Sequence, residues 1–189
     1  MNEIELFKIL LSDKPSDRIK NNEKEIFEFI PELKDCKGFN QNNDWHVYDV
    51  YEHILHVVDY VDEDLILRLT ALFHDIGKPI SYTEDSNHIG HFRGHWDQSM
   101  KIFLSYASKL NLDEDTKKLI SNLIYYHDIS LDKMCTERFD ELCNVFTISE
   151  LKLLFKLKKA DILAQNPKYY YLLDKCDKEE CKMLKRLKS

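Results

Sequence analysis

The chain has few of the residues that interrupt regular structure. Only four glycines and four prolines occur among 189 residues, which leaves little turn chemistry for a protein of many short strands. Hydrophobic residues make up 43% of the sequence and charged residues 32%, a balance that argues against disorder and suits helices with one solvated face. We therefore predict an all-α protein of about eight or nine helices.

Long apolar runs and secretory features are also absent. No apolar run approaches the ~18 residues of a membrane span, so we expect no membrane partner. The first residues include Asn2, Glu3 and Glu5, which is unlike a signal peptide. Five cysteines with no CxxC pair and no zinc-ribbon spacing indicate reduced thiols. Together these features predict a cytoplasmic protein.

The charge balance restricts the class of partner. A formal net charge of −7 gives no electrostatic attraction to a long nucleic acid, whereas a small phosphate ester held by a metal remains compatible with it. No internal repeat, low-complexity tract or linker divides the sequence, so we expect one domain over residues 1–189. The sequence leaves the oligomeric state open.

The most informative stretch is residues 70–80. It continues a stripe of apolar residues at helical spacing: Leu65, Leu69, Leu72 and Ile76. The adjacent pair His74-Asp75 lies in the last turn, before the helix-stopping residues Gly77 and Pro79. An imidazole and a carboxylate are costly to bury without a partner, and a divalent metal would satisfy both.

Other inward-facing polar residues lie on separate predicted helices. His53 lies at the edge of the apolar stripe of a helix predicted over 45–61 with Asp44 as its cap, and His127 and Asp161 each continue an apolar stripe. Any one of them alone is more often an ordinary core or rim residue. These three residues, the pair His74-Asp75 and His95 make five positions whose side chains are typical metal ligands. Together they predict a metal site.

The order of these residues resembles the six-ligand, two-metal variety of the HD superfamily of metal-dependent phosphohydrolases. Several motifs within residues 30–167 are similar to the HD domain of bacterial tRNA nucleotidyltransferases: Pro31-Glu32-Leu33, Gln41, Trp45 to His53, His74 to Pro79, Gly90 to His95 with Ser99, and Ala160 to Pro167. No nucleotidyltransferase head is visible, so the resemblance implies a stand-alone hydrolase domain rather than CCA addition. It implies an HD-domain helical bundle with a metal-binding core at about 45–167 and flanking helices at both ends.

The resemblance also implies roles for individual residues. The first metal would be held by His53, His74, Asp75 and Asp161, and Asp75 would bridge to a second metal on His95 and His127. One or two divalent metals are expected per chain, from among Fe, Mn, Zn, Co, Ni and Mg. The candidate catalytic residues are Asp75, Lys78 and Asp128, and the candidate substrate-binding residues are Lys78, His91, Arg93 and His46. The run Tyr169-Tyr170-Tyr171 either stacks on a base or serves packing.

The leading hypothesis is therefore a metal-dependent phosphohydrolase that acts through metal-activated water. Its substrate would be a nucleotide or a short phosphodiester, such as a 2′,3′-cyclic phosphate, a nucleoside monophosphate or a dinucleoside polyphosphate. Two alternatives stay open. One is an HD-type di-iron oxygenase acting on a small organic substrate, and the other is a non-catalytic module that binds a nucleotide or RNA.

Overall fold

A computed structural model describes residues 1–130 and 136–187 of the chain. The all-α prediction is confirmed, although these ranges hold twelve α-helices, ten of them with seven residues or more, rather than eight or nine. They are α1 (Glu3–Leu10), α2 (Pro15–Asn21), α3 (Glu23–Phe29), α4 (Glu32–Cys36), α5 (Val50–Tyr60), α6 (Leu65–Phe73), α7 (Lys78–Ser81), α8 (His95–Ala107), α9 (Glu114–Tyr126), α10 (Thr136–Val145), α11 (Ile148–Leu163) and α12 (Tyr171–Arg186). The count rises because breaks at Asn22 and Pro31 divide the N-terminal segment into short helices.

Two non-α elements accompany the helices. Strands β1 (Thr83–Glu84) and β2 (Gly90–His91) form a short antiparallel hairpin within the polar segment that follows α7. A single 3-10 turn spans Pro167–Tyr169 between α11 and α12. The hairpin shows that backbone pairing orders part of this polar segment.

Helix α6 lies at the centre of the packing. Its residues from Leu67 to Phe73 are all buried, and it contacts α1, α5, α8, α9 and α11. The Asp64 side chain caps the helix by accepting a hydrogen bond from the Leu67 amide at 2.9 Å. Because α6 ends at Phe73, it delivers His74 and Asp75 directly into the interior.

Helix α5 begins later than the sequence predicted. The expected start near Trp45 with Asp44 as cap is wrong, because the helix starts at Val50 and Asp49 caps it through a 2.7 Å bond to the Glu52 amide. Local bonds hold the preceding segment in turns, including one from the Trp45 amide to Asn43 Oδ1 at 3.1 Å. Side-chain bonds of this kind compete with helix formation.

The described ranges also bear on the predictions about membrane spans and cysteines. Helix α10 follows residues 131–135, which lie outside the described ranges. Within those ranges, no helix combines the length and apolar composition that crossing a membrane requires. The four cysteines described, which are Cys36, Cys143, Cys176 and Cys181, are all free thiols.

Gly77 lies where the turn after His74-Asp75 meets the start of α8. Its amide donates to Ser99 Oγ at 2.9 Å. A Cβ atom added at Gly77 would lie 2.5 Å from the Ser99 backbone nitrogen and 2.8 Å from the His95 carbonyl oxygen. Since both neighbours are backbone atoms, they have no side-chain rotation with which to move away.

We therefore expect Gly77→Ala to lower the free energy of unfolding by about 2 kcal/mol or more, as overpacking against backbone does. Chemical denaturation followed by circular dichroism measures this loss. Ser105→Ala, an exposed change on α8, is the matched control and should be close to neutral. Equal stability of Gly77→Ala and the wild type would contradict the close approach of these two segments.

Candidate metal centre

The six predicted ligands come together from five places in the fold. Each is buried, with between 0% and 6% of its surface exposed. They are His53 on α5, His74 and Asp75 directly after α6, His95 at the start of α8, His127 at the end of α9, and Asp161 on α11. The structure therefore brings together every residue of the predicted ligand set, while their roles as ligands stay predictions.

The backbone fixes the tautomer of all four imidazoles. In each, Nδ1 lies within hydrogen-bonding distance of a carbonyl oxygen, which can only accept, so Nδ1 carries the proton. The pairs are His53 with Ala164 at 3.2 Å, His74 with Ala71 at 2.7 Å, His95 with Phe92 at 2.8 Å, and His127 with Ile124 at 2.7 Å. In the neutral rings, the Nε2 atoms are therefore left as lone-pair donors.

These Nε2 atoms point at one another in two pairs. His53 and His74 bring theirs to 3.3 Å, and His95 and His127 bring theirs to 3.2 Å. Asp75 lies between the pairs, with Oδ2 3.1 Å from His53 Nε2 and Oδ1 3.1 Å from His95 Nε2. Converging lone pairs and carboxylate oxygens repel one another unless a proton or a metal cation lies among them.

The Asp75 carboxylate gives a second indication of a metal. Its Oδ1 is buried and makes no hydrogen bond within the described part of the chain, despite its closeness to His95. A buried carboxylate oxygen without a partner is expensive. Two ligand groups, one of His53, His74 and Asp75 and one of Asp75, His95 and His127, each keep their ligand atoms within 4.8 Å of one another. This donor set fits one divalent transition metal in each group.

Asp161 adds a further oxygen to the first group. Its Oδ1 lies 3.1 Å from His53 Nε2. Burial favours the neutral form of Asp161, but the hydrogen bond from His53 outweighs burial and lowers its pKa. Conversely, burial disfavours protonated His53, but its bonds to Asp161 and Asp75 raise its pKa to about 9. In the metal-free protein, a proton on His53 thus takes the place of a metal cation.

Lys78 is held against the ligand cluster. It is 4% exposed, and its ammonium nitrogen lies 2.6 Å from Asp75 Oδ2, 2.8 Å from Gln41 Oε1 and 3.3 Å from His46 Nε2. Burial favours neutral Asp75, but its electrostatic interactions with His74 and Lys78 hold its pKa well below the usual range. Gln41 belongs to the motifs that carry the family resemblance, but no periodic pattern indicated its role, because it lies in an irregular segment.

His46 completes this network as a neutral ring. Its Nδ1 is 2.9 Å from Asn43 Oδ1 and donates a hydrogen bond to it. Its Nε2 is therefore unprotonated and accepts a hydrogen bond from the Lys78 ammonium. Burial, followed by the charge of Lys78, lowers the pKa of His46 well below its ordinary value. His46 is therefore an acceptor for Lys78 and has no second proton to give to a substrate.

A cavity of about 470 Å³ opens over the ligand cluster. All five predicted catalytic or substrate-binding residues beyond the ligands line it: His46, Lys78, His91, Arg93 and Asp128. Arg93 and Asp128 are exposed, and His91 Nε2 is 3.0 Å from Asp85 Oδ2 in the hairpin. The cavity also includes Trp45 and Lys158, which the sequence analysis did not select.

The comparison with known proteins agrees with this geometry. The model of the HD domain family matches residues 44–179, which is most of the chain. The chain belongs to the HD domain family. Paired buried His/Asp clusters that can hold metal ions are typical of HD domains, and this match and these clusters support an HD-superfamily hydrolase.

Two curated relatives confirm the resemblance noted in the sequence motifs. The HD chain is 29% identical over 109 residues to the A-adding tRNA nucleotidyltransferase of Deinococcus radiodurans, covering 54% of this chain and 25% of that protein. It is 28% identical over 143 residues to the CC-adding tRNA nucleotidyltransferase of Thermus thermophilus, covering 71% of this chain and 32% of that protein. The match thus spans a third or less of each relative.

Proposed function

We propose that this HD domain is a metal-dependent phosphohydrolase that cleaves a nucleotide or a short phosphodiester through metal-activated water. The observation that carries the proposal is a pair of buried His/Asp clusters that share Asp75 beneath an open cavity. Divalent metals bound there supply a water that ionises near neutral pH and positive charge that neutralises phosphate oxygens. A small anion that enters the cavity meets Asp75, which the two clusters share, and His95 and His127 of the second cluster.

The ligand residues prepare the site for this chemistry. Asp75 is ionised and, through its two oxygens, faces both clusters, so it sets the separation between them. The backbone carbonyls that bind each Nδ1 keep the four imidazoles oriented with Nε2 inward. Such a preorganised cluster loses little free energy to rearrangement when a phosphate arrives.

Other cavity residues have proposed roles in proton transfer and charge neutralisation. Asp128 follows His127 directly and is exposed on the cavity wall, so its carboxylate is a candidate to exchange protons with the attacking or leaving oxygen. Arg93 and His91 lie on the hairpin side of the cavity, where they face the negative charge of a phosphate ester. Lys78 keeps Asp75 ionised through their 2.6 Å contact.

The test combines metal analysis with turnover. Purified protein is incubated with Mn, Co, Ni, Zn, Fe or Mg, freed of excess ion, and examined by elemental analysis. Phosphate or ester cleavage is then measured on nucleoside monophosphates, 2′,3′-cyclic nucleotides and dinucleoside polyphosphates. We expect about two metals per chain, cleavage within one of these classes, and loss of cleavage after chelation.

Other results would change the assignment. About one metal per chain with retained cleavage would move His95 and His127 to the substrate side. Two tightly bound irons with oxygen consumption and no cleavage would favour the oxygenase alternative. Tight nucleotide binding without turnover under every metal would favour a binding module. Neither metal nor turnover under any condition would overturn the proposed function.

A further inference from the structure

Lys78, the lysine that contacts the His/Asp cluster, has no free N–H donor left for a substrate. An ammonium group has three N–H donors. Those of Lys78 have three acceptors within 3.3 Å, on Asp75, Gln41 and His46. A substrate phosphate could take one of these donors only by breaking a buried bond, and the bond to Asp75 is between two charges. The phosphate therefore has to bind to cationic groups of the cavity other than Lys78.

Lys158 meets that need. It lies on α11, three residues before Asp161, and lines the cavity while half-buried. Its ammonium donates one hydrogen bond, to the His127 carbonyl oxygen at 3.1 Å. Within the described ranges, no carboxylate lies within ion-pair distance of it, so two N–H donors and a full charge remain for a ligand. The contact with His127 fixes this charge beside the second metal cluster.

The sequence alone does not distinguish Lys158 from the neighbouring lysines. It belongs to the segment Lys156 to Lys159, where three lysines suggest an ordinary solvated face. The structure separates them, because Lys156 pairs with Asp62 and Lys159 pairs with Asp177 and Glu180. Only Lys158 of these three faces the cavity.

An aromatic surface lies on another part of the cavity wall. Trp45 is stacked on Tyr169, with ring centroids 3.8 Å apart and planes 19° from parallel. Trp45 nonetheless stays 45% exposed. The exposed surface therefore belongs to the edges of its ring and to the face that Tyr169 does not cover. A large apolar ring left open on a cavity wall is a surface on which another flat ring can stack.

Backbone hydrogen bonds anchor this surface, and it lies close to the buried His/Asp cluster. The Trp45 carbonyl accepts a hydrogen bond from the Asn166 amide at 2.8 Å, and its own amide donates to Asn43 Oδ1 at 3.1 Å. The next residue, His46, places its ring 5.0 Å from that of His53. A ligand stacked on Trp45 thus lies near enough for an attached phosphate to reach the clusters.

We propose that Lys158 and Trp45 are further substrate-recognition residues of this cavity, with Lys158 binding the phosphate group and Trp45 stacking on the base of a nucleotide. This inference rests on the proposed function and narrows its substrate class to esters that carry a flat ring. It also assigns Tyr169, from the run Tyr169-Tyr170-Tyr171, to packing beneath Trp45 rather than to the ligand.

The two halves of the proposal can be tested separately with ligands that the enzyme cannot hydrolyse. Inorganic phosphate carries the charge without the ring, and adenosine carries the ring without the phosphate. Calorimetric titrations of metal-loaded protein with each ligand compare the wild type with Lys158→Met and Trp45→Ala. Matched controls are Lys156→Met on the same helix and Tyr125→Ala, an exposed ring on α9 outside the cavity lining.

We expect Lys158→Met to weaken phosphate binding by about tenfold to a hundredfold and to leave adenosine binding unchanged. Trp45→Ala should weaken adenosine binding by about tenfold and leave phosphate binding unchanged. Lys158→Arg and Trp45→Phe should restore most of each loss, and neither control should change either affinity. Metal content and circular dichroism confirm that each variant is folded and loaded.

Several outcomes would overturn the inference. These are unchanged phosphate affinity in Lys158→Met, parallel loss of both ligands in Trp45→Ala, or wild-type protein that binds adenosine no better than ribose. Because these are binding measurements, they do not depend on turnover. If both ligands bind as expected while no ester is cleaved, the proposed function fails and the recognition residues stand.

Discussion

Replacing Asp75 with asparagine is expected to remove metal from both clusters at once and to reduce phosphate release by at least about 10³-fold. The two oxygens of Asp75 face different histidine pairs, with Oδ2 3.1 Å from His53 Nε2 and Oδ1 3.1 Å from His95 Nε2. Asparagine keeps the shape but removes the charge and turns one oxygen into a donor. Elemental analysis after gel filtration, together with the cleavage assay, measures both effects.

Single histidine variants give the contrast that makes this result specific. His127→Ala removes a ligand from only the second cluster, so about one metal per chain should remain. Asp97→Asn on α8 makes the same chemical change in a half-exposed pair with Lys101 and should keep both metals and activity. Asp75→Asn protein that retains about two metals per chain would show that the clusters do not share this carboxylate.

The buried His/Asp cluster was predictable because burial leaves a periodic pattern in the sequence. His127 and Asp161 continue apolar stripes that α9 and α11 do turn toward the core, and His74-Asp75 follows the apolar α6. A polar side chain on an apolar stripe is unusual enough to be noticed from sequence alone. The residue types then indicate a transition metal rather than calcium.

The surroundings of the ligands were harder to predict, because irregular backbone has no period. The turns at 44–49 place Trp45 and His46 at the cavity, although the sequence suggested that a helix begins there. Lys78 has the position expected of a phosphate-binding residue, but two of its three acceptors, Gln41 and His46, come from a segment 32 to 37 residues earlier in the sequence. Which lysine remains free for a ligand depends on such contacts, which only the three-dimensional structure shows.

A second large effect is expected in the pH dependence of stability once the metal is removed. In the folded metal-free protein, hydrogen bonds to Asp161 and Asp75 overcome the effect of burial and raise the pKa of His53 from 6.5 to about 9. The folded state thus binds a proton more tightly than the unfolded chain does. This contribution to the free energy of unfolding is fully present below about pH 6.5. It is lost as the pH rises to about 9, and the loss then amounts to about 3 kcal/mol.

The other groups near the cluster with shifted pKa values change their contributions to stability outside the range from about pH 6.5 to 9. The pKa values of His127 and His46 are lowered, so their contributions change on the acidic side of pH 6.5. Those of Asp75 and Asp161 are also lowered and change only at still lower pH. Burial raises the pKa of Cys176 to about 11 and also raises that of Cys36, so both thiols reduce stability chiefly near and above pH 9.

Thermal unfolding with a chelator at pH 6.5, 7.5 and 8.5 tests this expectation, with His53→Gln as the matched variant. Metal-free wild-type protein should become steadily less stable across the series, while metal-free His53→Gln should change little. Metal-loaded wild-type protein should also change little, because a cation then occupies the place of the proton among His53, Asp75 and Asp161. A metal-free wild type that is equally stable at pH 6.5 and 8.5 would mean that the cluster holds no proton on His53, and that its converging lone pairs are relieved in another way.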